Sequence, residues 1–279
     1  MHPFMKAAIF YAFAFAGSLA LALFAAPLIG AWSLPLVMLT PLLSVLLMKL
    51  VVTREGYQKG GWSELGLGRL GLKHWPMAFG LPFAVLLFSY GIVWLTGLAE
   101  FGVPPAFGFS SPLDFAISFA VTMIVCFGEE IGWRGYLLPR LMSLGHRPAL
   151  LISGLLQGFW HLPFIVFTTV YHGAANPWIA IPLFLVTMTI AGILFGYLRI
   201  VSKSTWPAVI THGVYNIYWS LFVAYTVSGP ILATEYLAGE SGILTIAAIA
   251  VLAWIMIRRM ENPQSGVIIS TDHPRLVAA

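Results

Sequence analysis

Six polar or ionisable side chains lie inside long apolar stretches of this sequence, where hydrocarbon rather than water is the expected surrounding. They are Glu129, Glu130, Arg134, His161, His212 and Asn216. An ionisable group inside a membrane span costs at least about 2.5–3.5 kcal/mol on insertion scales, so such residues mark functional sites by default. Carboxylates beside histidines supply the chemistry of a general base or of metal ligands. The set therefore predicts one active site within the membrane.

Spacing divides these residues into pairs. Glu130 and Arg134 are four residues apart, so on a helix they share a face and can form an ion pair, while Glu129 is turned away by about 100°. His212 and Asn216 have the same spacing and present two hydrogen-bonding groups along one stripe. The two glutamates are thus expected to have different tasks. The structural alternative is a buried polar network that joins helices, but six such residues on three helices favour a site.

The composition requires lipid as the solvent for much of the chain. Hydrophobic residues make up 59% of the 279 residues and charged residues 9%, with a mean hydropathy of +0.91. A soluble domain needs far more charge to cover its surface. The net charge of +4 is too small for a nucleic-acid-binding surface, so no nucleic-acid partner is expected.

Cys126 is the only cysteine of the sequence. A single cysteine excludes an intrachain disulfide and a cysteine-based metal site. We interpret Cys126 as a small apolar residue that fills space in a helix.

Eight apolar segments are long enough to cross a bilayer, which takes about 20 residues each. They run near 7–29, 33–52, 75–97, 113–134, 148–170, 177–199, 204–226 and 241–257. The sequence thus predicts an all-α, polytopic transmembrane bundle of about eight spans. The first segment is too long for the hydrophobic region of a signal peptide, so we expect it to be retained as a span.

This map divides the chain into four regions. Residues 1–110 hold N-terminal transmembrane helices and a polar cytoplasmic loop near 53–74. Residues 111–226 hold the catalytic core, 227–260 the last transmembrane helix, and 261–279 a polar cytoplasmic tail.

The basic residues predict the orientation. Every Lys and Arg falls at the N-terminus, in or beside the second, fourth or sixth connection, or in the tail, whereas the other connections hold only acids, among them Glu235 and Glu240. By the positive-inside rule both termini are then cytoplasmic, which requires an even number of spans. We expect an integral, multi-pass protein of a bacterial plasma membrane.

Three short motifs, in this order, resemble those of the CPBP family of CAAX proteases and bacteriocin-processing (Abi-type) enzymes. Residues 129–134 read EEIGWR and resemble the family's EExxxR signature. Residues 160–163 read WHLP and resemble the end of its FxxxH motif, and residues 212–216 read HGVYN and resemble its HxxxN motif. The resemblance covers about 113–226. It departs from the family at Gln157, where the Phe of the second motif is expected; a glutamine there can add a hydrogen bond to the site or change substrate preference.

The resemblance implies an intramembrane endopeptidase with a CAAX-prenyl-endopeptidase-like helical fold. It assigns Glu129 and His161 to the activation of a water that hydrolyses a peptide bond. Glu130 and Arg134 would orient the site from behind it.

The third motif and the cofactor stay open between two accounts. In the first, Glu129, His161 and His212 are ligands of Zn²⁺ or another divalent metal with water as the fourth, in keeping with the label of metalloprotease that the family usually carries. In the second, a glutamate is the base without a metal, and His212 and Asn216 hold the tetrahedral oxyanion in a dry site. The expected partners are membrane lipid and a peptide or protein substrate.

Two further functions are weighed against proteolysis. A non-proteolytic member of the same family would act as a scaffold or bacteriocin-immunity protein, but it has no need of the complete set of polar residues. A proton-coupled transporter would use buried Glu and His as proton carriers, but it would more often show an internal repeat with broken helices, which this sequence lacks.

Overall fold

The computed structural model describes residues 1–104, 112–168 and 176–262, and it is helical almost throughout. The α-helices of the described residues are α1 (Pro3–Ala20), α2 (Ala26–Ile29), α3 (Ser33–Met38), α4 (Thr40–Leu47), α5 (Trp75–Leu95), α6 (Pro112–Glu130), α7 (Leu138–Leu141), α8 (His146–Phe167), α9 (Pro177–Ser202), α10 (Trp206–Ala224) and α11 (Ile243–Glu261). Two short strands of the same residues, β1 (Glu100–Phe101) and β2 (Thr226–Ser228), pair antiparallel. The predicted helical bundle is confirmed.

Six helical stretches of the described chain are long and apolar enough to cross a membrane. They are Pro3–Met38, Leu72–Leu95, Pro112–Leu144, His146–Phe167, Pro177–Ser202 and Ile243–Glu261. The predicted count of eight is therefore not confirmed. The predicted span 33–52 is divided, since its first part continues the first stretch and its second part is the shorter helical segment Thr40–Val52. The predicted span 204–226 forms α10, whose 19 residues include polar side chains such as His212 and Asn216.

The remaining predicted regions are partly covered by the structure. The predicted last helix corresponds to α11, which continues to Glu261. Of the predicted tail, residues 263–279 lie outside the described residues. The predicted loop near 53–74 consists of short 3₁₀ turns such as Glu55–Tyr57 and Ser63–Leu65.

The N-terminal helices form a hairpin that packs against residues 129–134. The chain turns at Gly30, whose φ of +56° is a conformation that glycine adopts without steric cost. After this turn α4 packs along α1 and also against the helix that follows Glu130. A Cβ atom on Gly132 would lie 2.4 Å from Cβ of Pro41 in α4, so the close approach depends on the absence of a side chain there.

Polar contacts between helices hold α8 at the end of this hairpin. Trp160 Nε1 lies 3.1 Å from the carbonyl oxygen of Ala14 and 3.1 Å from Thr40 Oγ1. The Ser18 hydroxyl donates to the carbonyl oxygen of Trp160 at 2.8 Å. Hydrogen bonds of this kind join helices where apolar surfaces alone give little preference for one neighbour over another. They determine where His161, the next residue along α8, is placed.

The other side of α8 packs on α9 through glycines. A Cβ on Gly192 would lie 2.6 Å from Cα of Gly154, so the two backbones are in direct contact. A Cβ on Gly196 would lie 2.1 Å from Leu150 Cδ2. The pattern of two glycines four residues apart in α9 therefore serves packing within the bundle.

Candidate active site

Four of the six predicted site residues face one cavity. Glu129 at the end of α6, His161 in α8, and His212 and Asn216 in α10 line a space of about 260 Å³. The other two predicted residues, Glu130 and Arg134, lie behind the cavity wall and are fully buried. Three helices thus bring the whole predicted set together, although up to 87 residues of sequence separate its members.

Glu130 is the acceptor of two charged or polar donors. Its Oε1 lies 3.1 Å from Arg134 Nη1, which is the ion pair that the spacing predicts. The same oxygen accepts a hydrogen bond from His212 Nδ1 at 2.9 Å. The backbone widens directly after Glu130 into a π-helix, Ile131–Leu137, which carries Arg134. Irregular turns of this kind occur frequently at functional sites.

Gln157 connects the two glutamates through Arg134. Its Nε2 donates to Glu129 Oε2 at 3.0 Å, and its Oε1 accepts from Arg134 Nη1. A carboxylate only accepts and a guanidinium only donates, so both ends of the amide are used in one orientation. The residue at which the sequence leaves the family pattern therefore adds hydrogen bonds to the site, as the residue type allows. Gln157 is itself fully buried.

The His161 ring is oriented by the backbone and by two aromatic side chains. Nδ1 lies 2.9 Å from the carbonyl oxygen of Gln157. Since a carbonyl oxygen only accepts, Nδ1 carries the hydrogen, and in the neutral ring Nε2 has the lone pair. The ring lies edge-on to Trp160 and Phe184, with centroid distances of 4.5 and 5.1 Å. His161 is thus held in the tautomer of a base.

The His212 and Asn216 side chains each have one polar group engaged and another left for the cavity. His212 uses Nδ1 for Glu130, and its ring stacks on Phe195 with a centroid distance of 5.6 Å. A carboxylate on Nδ1 orients an imidazole and strengthens its other nitrogen. Asn216 Nδ2 lies 3.5 Å from Cys126 Sγ, a weak acceptor that uses one of the two amide hydrogens. Cys126 is buried beside the site.

A fourth ionisable residue, Glu240, lines the same cavity. From the sequence, Glu240 is expected in a connection between spans, because it lies outside the apolar segments and has no helical spacing to the three motifs. In the structure this connection folds back between β2 and α11 and brings Glu240 to the site. Burial raises the pKa of the Glu240 carboxyl to about 7; the charge of His212 opposes this shift, and those of Glu235 and Glu129 add to it. Local sequence carries no signal for such a fold-back.

The donor set does not fit a three-ligand metal site. Within residues 1–104, 112–168 and 176–262, no group of three His, Cys, Asp or Glu side chains is close enough to hold a metal ion. The predicted ligands Glu129, His161 and His212 share the cavity wall without forming such a group. A catalytic zinc ion takes three protein ligands at about 2.0–2.2 Å.

Comparisons with known proteins agree with the motifs. The family model of the type II CAAX prenyl endopeptidase Rce1-like proteins matches residues 111–218, which include all three motifs. A CAAX prenyl protease 2 of Methanococcus maripaludis is 27% identical over 192 residues, which are 66% of this chain and 67% of that relative.

Proposed function

Because the chain belongs to the CPBP family of CAAX-type intramembrane peptidases, we propose that it hydrolyses a peptide bond with a water activated by Glu129 and His161. The observation that supports this proposal most is that both residues face one cavity with His212 and Asn216. Such a cavity collects a base, hydrogen-bond donors and a polypeptide substrate in a place from which most water is excluded.

The water is activated between Glu129 and His161. His161 Nε2 accepts a hydrogen bond from the water, because Nδ1 is the protonated nitrogen. The Glu129 carboxylate takes a proton from this water as its oxygen attacks the carbonyl carbon of the scissile bond. The Gln157 amide holds Glu129 Oε2 in place, which leaves Oε1 for the water.

The oxyanion and the leaving group are then stabilised from α10. In its doubly protonated form, His212 donates from Nδ1 to Glu130 and from Nε2 to the negative oxygen of the tetrahedral intermediate, and the second amide hydrogen of Asn216 donates to the same oxygen. The C–N bond breaks as the protonated Glu129 returns its proton to the leaving nitrogen. One water is consumed and Glu129 is again ionised. The carboxylic acid and the amine that form exchange the second proton of the water, so a carboxylate and an ammonium group are released.

The catalytic test compares wild type, Glu129→Gln and His161→Ala on quenched peptides in detergent and in liposomes, with a prenylated CAAX-type tail among the substrates as the relative's name suggests. Removing a general base typically costs about 100- to 10,000-fold in rate, and we expect losses in that range for both variants. Glu100→Gln is the matched control, because Glu100 is an exposed carboxylate in β1. Turnover that is equal in wild type, Glu129→Gln and His161→Ala would refute the assignment.

We further propose that hydrolysis is independent of a metal ion. The support is the lack of a three-donor group in the described residues. We expect kcat to persist in protein shown to be metal-free by elemental analysis and to be insensitive to chelators. Loss of activity on chelation and its recovery with Zn²⁺ would contradict this proposal while leaving the peptidase function intact.

For orientation we propose that both termini are cytoplasmic, supported by the placement of Lys and Arg in alternate connections. Cys126 is buried, so single new cysteines can serve as reporters. Lys59→Cys, in the second connection, should react with a membrane-impermeant maleimide only after cells are opened. Ser228→Cys, in β2, should react in intact cells. The opposite pattern would invert the topology.

A further inference from the structure

We propose that Glu240 forms a substrate subsite of the active-site cavity that selects peptides with a cationic side chain, of Lys or Arg, beside the scissile bond. This inference rests on the proposed function, because it assigns the cavity to a peptide. It goes beyond that function by naming a residue outside the three motifs and the class of side chain that this residue binds.

Glu240 lies at the junction of two cavities. The first is the active-site cavity, which it lines with Glu129, His161, His212 and Asn216. A second cavity begins at the same junction, because it is also lined by His212, Asn216 and Glu240. The rest of its wall is mostly apolar and comes from α5, α9, α10 and α11; its apolar residues include Leu81, Val85, Ala191, Leu194, Phe195 and Ile249. A side chain that extends from the scissile bond into the second cavity must therefore pass Glu240.

The backbone around Glu240 is held from two helices. The Tyr215 hydroxyl, in α10, donates to the carbonyl oxygen of Glu240 at 3.1 Å. Thr245 Oγ1, in α11, lies 2.9 Å from the carbonyl oxygen of Gly239 and 3.0 Å from Ser89 Oγ in α5. These contacts fix the position from which the Glu240 side chain extends.

The Glu240 carboxylate itself is available for a ligand. Within the part of the chain that the structure describes, the only hydrogen bond that Glu240 accepts is the one to its backbone oxygen. Glu130, by contrast, is engaged by both Arg134 and His212. A carboxylate with unused acceptor capacity in a partly enclosed cavity favours a donor from the substrate, and a cationic donor most of all.

The charge of the cavity wall points in the same direction. Its described lining contains two carboxylates, Glu129 and Glu240, and no Lys or Arg. The guanidinium of Arg134 lies behind the wall and is paired with Glu130. An anionic side chain beside the scissile bond therefore meets like charge, and a cationic one meets opposite charge. Interactions of this kind discriminate between substrates by repulsion as well as by attraction.

The apolar wall of the second cavity suits the methylene stem of such a side chain. Lys and Arg can lay their carbon stems against apolar surface while their charged ends reach a polar group. Leu81 and Val85 would contact the stem beyond the junction, and Glu240 would bind the charged end at the junction. The side chain must bend so that its charged end turns back to Glu240. A bent Glu or Asp side chain would place a negative charge against this carboxylate.

The test measures kcat and KM on three quenched peptides that differ at one position beside the scissile bond: Lys, norleucine or Glu. We expect wild type to prefer Lys over Glu by at least about 10-fold in kcat/KM. In Glu240→Gln this ratio should fall towards one, mainly through a higher KM for the Lys peptide. Glu235→Gln is the matched control, because Glu235 lies on the same connection, is exposed and does not line either cavity. Glu235→Gln should keep the wild-type ratio.

Three results would overturn the subsite. The first is a wild-type enzyme that cleaves the Lys peptide no better than the Glu peptide, which would overturn the subsite without any variant. A folded Glu240→Gln protein that retains the wild-type ratio would do the same, with folding checked by its thermal midpoint beside that of Glu235→Gln. In both cases Glu129-dependent cleavage would still uphold the proposed function. Absence of Glu129-dependent cleavage of all three peptides would refute that function and the subsite with it.

Discussion

The chain contains two clusters of opposite charges whose surroundings differ. The bundle cluster lies between helices and consists of Glu130, Arg134, Gln157 and His212. The edge cluster joins the 53–74 connection to helix ends and consists of Lys6, Lys49, Glu55, Glu64 and Arg140. Glu130 and Arg134 have no exposed surface, whereas the side chains of Glu55 and Glu64 are 24% and 35% exposed.

The difference shows that the same ion-pair chemistry serves two purposes. In the edge cluster, an acid that loses its partner can be solvated by water, so each pair has a limited effect. In the bundle cluster an unpaired charge cannot be solvated by water, so the stability of each charged member depends on its partners. A network of this second kind costs free energy to bury. Its presence is explained if it positions reacting groups, here Glu129 and His212. We therefore interpret the edge cluster as structural and the bundle cluster as part of the site.

The largest expected effect is that of Arg134→Leu. It leaves Glu130 buried without a cation, and breaking a buried pair in this way costs about 3–5 kcal/mol. We expect a loss of that size in the free energy of unfolding in mixed micelles, together with loss of peptidase activity. Arg147→Leu is the matched control, because Arg147 is 56% exposed and pairs with Glu261. Arg147→Leu should cost less than about 1 kcal/mol.

Equal stability of the two arginine variants would remove the distinction between the clusters. It would mean that Glu130 finds another partner or becomes neutral without consequence. An Arg134→Leu protein that keeps wild-type activity would further show that the bundle cluster does not position the site.

The next largest effect is expected for Gln157→Leu. This substitution removes the hydrogen bonds that link Glu129 to Arg134 and places an apolar side chain of similar size in the core. Residues that orient reacting groups typically contribute about 10- to 100-fold to activity. We expect kcat to fall by that amount while KM stays nearly constant, because Gln157 does not line the cavity. If Gln157 had only a packing role, the substitution would lower the free energy of unfolding and would not lower kcat selectively.

The control for Gln157→Leu is Gln58→Leu, since Gln58 is exposed in the second connection. It should leave kcat and KM at wild-type values. A rise in KM with constant kcat for Gln157→Leu would assign Gln157 to substrate binding instead of to the orientation of Glu129.

The motif residues of the bundle cluster and of the cavity could largely be predicted from the sequence, because helical periodicity relates them in pairs. Glu130 and Arg134 are four residues apart, and so are His212 and Asn216, so each pair shares a face whatever the tertiary structure. Insertion cost then brings these faces together, since polar groups avoid lipid. The departure from the family pattern indicated the hydrogen-bonding capacity of Gln157, but its bridging contacts depend on the packing of α8 against α6.

The rest of the site and the span count depended on non-local packing. Glu240 reaches the cavity only because the chain folds back after β2, where Tyr215 donates to the carbonyl oxygen of Glu240 and Thr245 to that of Ala238, so that two separate helices hold the connection. The eight-span prediction relied on apolar length and on the alternation of basic residues between connections, and neither reveals that the segment 33–52 is divided into short helices. Lys49 was interpreted only as an orientation signal, yet it is 1% exposed. Burial of a lysine requires partners that lie elsewhere in the chain.

A smaller effect is expected for Lys49→Met in the edge cluster. Lys49 Nζ contacts the carbonyl oxygen of Gly61 at 2.7 Å and the carboxylates of Glu55 and Glu64. Met keeps the length of the side chain, and Glu64 retains Arg140 Nη2 at 2.7 Å and access to water. The cost in the free energy of unfolding should therefore be about 1–2 kcal/mol. A loss as large as that of Arg134→Leu would show that the edge cluster is as dependent on its members as the bundle cluster.

The smallest effect, and the one with a sign that depends on pH, is expected for Lys6→Met. Burial alone would raise the pKa of Glu55, but its hydrogen bond with Lys6 and the charges of Lys6, Lys49 and Arg140 bring the pKa below its ordinary value. A lowered pKa in the folded state stabilises the protein above the unfolded pKa of about 4.3 and ceases to do so as the pH falls through the folded value. The free energy of unfolding of wild type should thus exceed that of Lys6→Met by less than about 1 kcal/mol at pH 7, and the difference should shrink below pH ~4.

The control is Lys59→Met, at an exposed position of the 53–74 connection that holds Glu55, and it should show no such pH dependence. A difference that persists unchanged at low pH would assign the contribution of Lys6 to packing of its methylene stem, and the edge cluster would then resemble an apolar contact more than an ionic one.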